Sequence, residues 1–228
     1  SNQDPPADMY AGIPIVALAV LAIVLGLIGS RSSDSAQPLA APMSAPAVAT
    51  SRPPDLTIAR GEGVQINVPI DPVAITAAAF TPIGDPTAVA METSGAIRIH
   101  QADRDGRLGP ETAGLDVGAA PGTPVYAPVD GVVATVADYK AYGRIEGFEV
   151  SIAPDTASRG VLVRMTHLDD PARGSRPQVG QPVQAGETLI GRVRDFSAVG
   201  RQQLAQFTSD SGSHVHLELI RTQADLFQ

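Results

Sequence analysis

The hydrophobic positions of the chain follow two different patterns. Residues 11–30, AGIPIVALAVLAIVLGLIGS, are an unbroken apolar run without a charge. From Leu56 onward, apolar residues come in short runs that alternate with polar ones and are punctuated by Gly, Pro and Asp. At about 1.5 Å per helical residue the first run spans roughly 30 Å, the thickness of a hydrocarbon core. Pro14 falls in its first turn, where a missing N–H costs little. The pattern predicts a single transmembrane helix over 11–30 behind an N-terminal flank, 1–10. A cleaved signal peptide competes for the same residues. However, the run is longer than an h-region, and SNQDPPADMY is acidic where a signal peptide is basic. A buried core helix is the third reading, and the rest of the chain offers no helical core to receive it.

Residues 31–55, RSSDSAQPLAAPMSAPAVATSRPPD, show no periodicity and are rich in Ala, Pro and Ser. Such a stretch buries too little apolar surface to fold and reads as a tether, up to on the order of 70 Å long if extended as polyproline II. From 56 to 109 the runs LTIA, VQINVPI, VAITAAAF, TAVAM and AIRIH predict a β-rich extension. A second β-rich region over 110–222 contains TPVYAPV, GVVATVADY, FEVSIA, GVLVRMTHL, ETLIGRV and SHVHLELIR. Residues 223–228 form a short tail. Helical spacing is weak except in SAVGRQQLAQF (197–207), a candidate short helix. The fold class is therefore mostly β, preceded by one transmembrane helix and a Pro/Ala-rich linker.

Composition narrows the chemistry. Without cysteine there is no disulfide framework, thiolate metal site or thiol nucleophile. The formal charge is −8, and beyond residue 30 there are 22 acids against 16 bases, so no basic face is available for nucleic acid. No phosphate-binding loop or dinucleotide fingerprint occurs. The segment APVDGVVATV suggests a lipoyl-like carrier, but the only lysine, Lys140, is not at the expected hairpin turn.

Four histidines remain as candidates. His214 and His216 are separated by one residue in SHVHLEL, so strand alternation puts both imidazoles on one face. Two imidazoles on one face suit a metal or acid–base chemistry. His167 ends the run VLVRMTH, and Asp116 follows a glycine in AGLDVG. Taken singly, each also reads as an ordinary satisfied polar group at a strand boundary. Asp130 and Glu218 are expected to be exposed carboxylates rather than supports of a site, and Asp169 and Asp170 to lie in a solvated loop.

In chain order these residues are no longer independent. The stretches GLDVGAAPGTPVYAPVDGVVATV (114–136), YKAYG (139–143), MTHLDD (165–170), VGQPVQAGETLIGRV (179–193) and SGSHVHLELIR (211–221) closely resemble the lysostaphin-type (LytM-like) zinc peptidases, which cut peptidoglycan cross-links. The resemblance covers roughly 110–222. It implies an antiparallel β scaffold with a groove above a metal, working outside the cytoplasm. Through it, Asp116 and His216 match two zinc ligands, and His167 and His214 match the two catalytic histidines. The first motif of that family is His-x-Gly-x-Asp; here it reads T-A-G-L-D, with Thr112 at the ligand-histidine position. A neutral hydroxyl is a poor zinc ligand, so the site is expected to be incomplete and the two histidines vestigial. No cofactor is expected, apart from zinc if Glu111 or His100 supplies a third ligand.

The function this implies is a membrane-anchored, catalytically inactive LytM-like module of the cell envelope, acting as a binding, scaffold or regulatory protein. Its domain would face the periplasm or cell wall. Its expected partners are the bilayer and a protein or membrane-protein complex, with peptidoglycan as a further candidate. Two alternatives stand beside it. One is an accessory structural subunit of a larger integral-membrane complex, for which the small faces of Ala17, Ala19, Ala22, Gly26 and Gly29 suit close helix packing. The other is an active zinc endopeptidase with an unusual third ligand.

Overall fold

The computed structural model describes residues 52–222 apart from 104–105, 142, 157–159 and 173–174. The expected transmembrane helix at 11–30, most of the linker and the tail lie outside the described residues. Among the described residues no helix is long and apolar enough to cross a membrane.

In chain order the strands are β1 (Thr57–Gly61), β2 (Val64–Asn67), β3 (Ala77–Thr81), β4 (Ala88–Val89), β5 (Glu92–Thr93), β6 (His100–Gln101) and β7 (Gly114–Gly118). They continue with β8 (Pro124–Tyr126), β9 (Gly131–Ala141), β10 (Arg144–Pro154), β11 (Val161–Asp169), β12 (Pro182–Val183), β13 (Leu189–Val193) and β14 (His214–Arg221). The mostly β expectation holds. In the candidate helix at 197–207 only Gln203–Gln206 turns, as a 3-10 segment. Gly200 at φ +140° and extended Gln202 interrupt any longer helix.

The main sheet runs β12-β9-β10-β11-β14-β7-β3-β6, and only β3 and β6 pair in parallel along it. Strands β1, β2 and β5 form a separate small sheet. Alternation explains why the main sheet is two-faced. On β14, Val215, Leu217 and Leu219 join the hydrophobic core, and so do Leu115 and Val117 on β7 and Val163 and Met165 on β11. The intervening residues, His214, His216, Glu218, Asp116, Arg164 and Thr166, therefore project from the opposite face. Strand register then aligns them across the sheet: Thr166 opposite His216, and His216 opposite Asp116. The region 56–109 contributes to the same sheet, because β3 extends it beyond β7 and β4 pairs with β14.

One irregularity positions a further side chain. Phe148 pairs with Leu168 and Val150 with Met165, so Glu149 on β10 faces two residues of β11, Thr166 and His167. This is a β-bulge. His167 adopts φ +64°, a left-handed conformation that non-glycine residues rarely take. The extra residue breaks strict alternation and brings His167 onto the same face as Thr166.

Candidate metal centre and cleft

Three side chains converge at the centre of the polar face. Asp116 Oδ1, one ring nitrogen of His214 and one of His216 lie within 4.8 Å of one another, and all three residues are buried. The Asp116 carboxylate contacts His216 Nδ1 directly and lies 3.5 Å from His214 Nε2.

The hydrogen bonds behind these groups fix the rings. His214 Nδ1 lies 2.7 Å from the Gly212 carbonyl, which can only accept, so Nδ1 carries the proton and neutral His214 keeps its lone pair on Nε2. That lone pair accepts from His167 Nδ1 at 2.9 Å, which leaves His167 Nε2 to accept from the Tyr139 hydroxyl at 3.1 Å. Phe196 packs edge-on against His167, ring centroids 4.7 Å apart.

His216 donates from Nε2 to Glu218 Oε1 at 2.8 Å. Glu218 accepts from Arg164 Nε at 2.7 Å, and Arg164 reaches Asp85 at 3.1 Å. Burial alone would lower the His216 pKa, but the Asp116 charge and hydrogen bond, with support from Glu218, outweigh it and push it up to about 9. Burial likewise opposes the charge on Glu218, yet His216 and Arg164 hold its carboxyl below the usual range. Glu149 beside them is raised, chiefly by burial, which with the Glu218 charge outweighs the opposing charge of Arg164.

Over this floor opens a cleft of about 590 Å³, lined among others by Tyr139, Glu149, Arg164, His167, Arg201 and Glu218. Its volume lies in the range of ligand sites.

All four residues singled out in the sequence meet here: Asp116, His167, His214 and His216. Glu218 corrects the expectation of an exposed carboxylate. It is 6% exposed and ties His216 to Arg164. Asp130 instead secures a turn, accepting from the Ala185 amide at 2.8 Å. Asp169 and Asp170 are not simply solvated; they pair with Arg194 and Arg176, each at 2.6 Å. Neither expected substitute ligand joins the cluster. Glu111 is exposed, with its carbonyl held by Gln101. His100 lies two strands from Asp116, across Ala79, and stacks on Phe207 at 4.3 Å. Sequence reading missed Tyr139, Phe196, Asp85 and Arg164. Only for Arg164 was there a local signal, since it alternates with Thr166 along β11.

Gly114 is required by the site itself. A Cβ there would lie 2.6 Å from His216 Cε1 and from Thr81 Oγ1, and 2.7 Å from Ile83 Cδ1. Gly114→Ala should cost about 1–3 kcal/mol through overpacking, measured by denaturant unfolding. It should also displace the His216 ring, visible as a shifted imidazole resonance. Thr81 beside it is fully buried, and its hydroxyl has no hydrogen-bond partner among the described residues. Thr81→Val removes that unsatisfied group at nearly constant shape and should raise stability by about 1 kcal/mol in the same assay.

The sequence profile described as Peptidase family M23 matches residues 110–226, just over half of the chain. The chain belongs to peptidase family M23. Three solved structures similar to the M23 protein illustrate the comparison. A zinc containing peptidase from Vibrio cholerae is 23% identical over 68% of this chain and 36% of its own, with a TM-score of 0.40. Helicobacter pylori Csd3 is 17% identical over 70% of this chain and 34% of its own, at 0.38. The catalytic domain of the prophage-encoded M23 protein EnpA from Enterococcus faecalis is 25% identical over 62% of this chain and 87% of its own, at 0.35. The chain thus spans about a third of the length of the first two. No curated protein matches it.

M23 enzymes are zinc metallopeptidases, and the M23 domain here retains a His/Asp group of the kind that holds a metal. By the resemblance, the zinc ligands would be Asp116, His216 and the residue at position 112. Thr112 is half-buried just before β7, and its carbonyl accepts from the Met91 amide at 3.0 Å. Its neutral hydroxyl is not one of the His, Cys or carboxylate groups that usually ligate a catalytic zinc.

Proposed function

We propose that this M23 protein is a membrane-tethered, non-catalytic module of the cell envelope that binds a protein partner or peptidoglycan through the cleft above Asp116 and His216. The observation that carries the reading is the threonine in T-A-G-L-D, where the family motif places a ligand histidine. A bound zinc ion would supply an activated water and a polarised carbonyl, both of which need a fully ligated metal. This chain has Asp116 and His216 for that role and no third family ligand.

The rest of the groove suits binding. Its floor is a connected chain of charges, Asp85, Arg164, Glu218, His216 and Asp116, with hydrogen bonds at nearly every join. Such a connected network rigidifies a surface. Arg107, Arg201 and Glu149 add both signs of charge at the cleft wall, which favours a polar peptide over an apolar ligand. An apolar segment at 11–30 and a Pro-rich tether support placement beyond the membrane, within reach of a membrane complex or the wall.

Co-purification tests this reading. Solubilised from its own membranes in mild detergent, the chain should carry a partner at fixed stoichiometry or sediment with purified sacculi. Arg201→Glu should weaken that association by roughly tenfold, the typical scale for a charge reversal near a polar contact. A chain that runs as a free monomer and ignores sacculi would contradict it.

A further inference from the structure

We propose that Asp116, His214 and His216 form a buried divalent-cation site in which His214 takes the ligand role lost at Thr112. The proposal rests on the non-catalytic reading, because it commits to coordination a nitrogen that the family resemblance assigns to catalysis.

Three observations carry it. First, the donor atoms converge: all three lie within 4.8 Å, and Asp116 Oδ1 is 3.5 Å from His214 Nε2. Metal–ligand bonds near 2.1 Å in a tetrahedron put donors about 3.4 Å apart, so the Asp116–His214 pair already has the spacing while the direct Asp116–His216 contact must open to admit an ion. Second, each histidine is backed by an oxygen acceptor on its far nitrogen. Gly212 O accepts a hydrogen bond from His214 Nδ1, and Glu218 Oε1 accepts one from His216 Nε2. Such outer partners orient a ligand imidazole and leave the inner nitrogen to face the ion. Glu218 is in turn held by Arg164. Third, Phe196 lies near-parallel to His214 at 6.4 Å, and His214 is 1% exposed, so its ring is held in place. Two imidazoles and a carboxylate suit zinc or cobalt rather than calcium or magnesium.

Two contacts oppose occupancy: the direct His216 Nδ1–Asp116 hydrogen bond, which an ion would replace, and the hydrogen bond between His167 and His214. His167 Nδ1 donates to His214 Nε2 at 2.9 Å, and an ion at His214 displaces that hydrogen bond. Cation binding and a His167–His214 proton relay therefore compete for one nitrogen. The site differs from the family's ligand set in using both histidines of H-V-H.

The test uses the full chain in detergent, stripped with chelator and titrated with cobalt(II) as the probe. One equivalent should bind and give the visible absorption of a low-symmetry, roughly tetrahedral N/O site. His214→Ala should weaken binding by about a hundredfold or more, beyond the roughly 10–100-fold cost of losing only a supporting partner. In a Thr112→His background the same His214→Ala change should cost much less, because a third ligand is restored. Wild type that binds no cobalt, or His214→Ala binding as tightly as wild type, would overturn the proposal. Should His214→Ala fail to fold, His167→Asn carries the test. Asparagine tolerates the left-handed backbone and its replacement of the ring removes the competing donor, so cobalt binding should tighten several-fold. Unchanged or weaker binding would overturn the assignment. Cobalt binding that depends on His214 in a chain that also cleaves peptidoglycan would sustain the ligand assignment and overturn the non-catalytic reading instead.

Discussion

Phe148→Ala should lower the unfolding free energy by about 3–5 kcal/mol, the largest stability loss expected of a single substitution in this domain. Phe148 is 0% exposed on β10, between its register partners Asp138 on β9 and Leu168 on β11. Its ring meets the β13 backbone at Gly191, where an added Cβ would stand 3.2 Å from Phe148 Cζ. The Arg176 guanidinium covers the ring at 4.8 Å from its centroid. The cavity would open beneath the bulge that presents His167. Denaturant titration measures the effect. A loss under about 1 kcal/mol would mean that the ring is not enclosed as described.

Thr112→His should strengthen zinc binding by about 3–5 kcal/mol, on the order of a hundredfold to several thousandfold. Apparent energies for fully ligated zinc sites are roughly 10–16 kcal/mol, and a histidine added to the Asp116, His214 and His216 donors should carry about a quarter to a third of that. The gain requires residue 112 to stand beside Asp116, as the spacing T-A-G-L-D and the start of β7 at Gly114 imply. Competition with a chromophoric chelator gives the affinity. An unchanged value would show that position 112 does not face the ion and that its threonine is not what leaves the family ligand set incomplete. Hydrolysis need not return with the metal, since His214 and His167 must also be free for proton transfer.

Much of the scaffold was legible because it depends on local alternation. SHVHLELIR declares a two-faced strand, and β14 puts its leucines in the core and its histidines and Glu218 in the site. The same alternation should have placed Glu218 with the histidines; reading it as exposed ignored that H-V-H-L-E continues the period. Other features depend on register between distant strands, which no local pattern encodes. His167 reaches the site only because two β11 residues face one on β10. Asp85 meets Arg164 across 79 residues of sequence, and Tyr139 meets His167 across 28. Proximity along the chain misled in the opposite direction. Glu111 neighbours Thr112 in sequence, yet it stays at the surface while His214, about a hundred residues away, supplies the third donor of the cluster. At 197–207 the helical spacing was real only for one turn, since Gly200 and extended Gln202 end it.

The proposed binding role is checked by incubating the zinc-supplemented full chain with cross-linked peptidoglycan and counting newly released amino groups. No release above a chelator-treated control is expected. Release that chelator abolishes and that Asp116→Ala eliminates would contradict it.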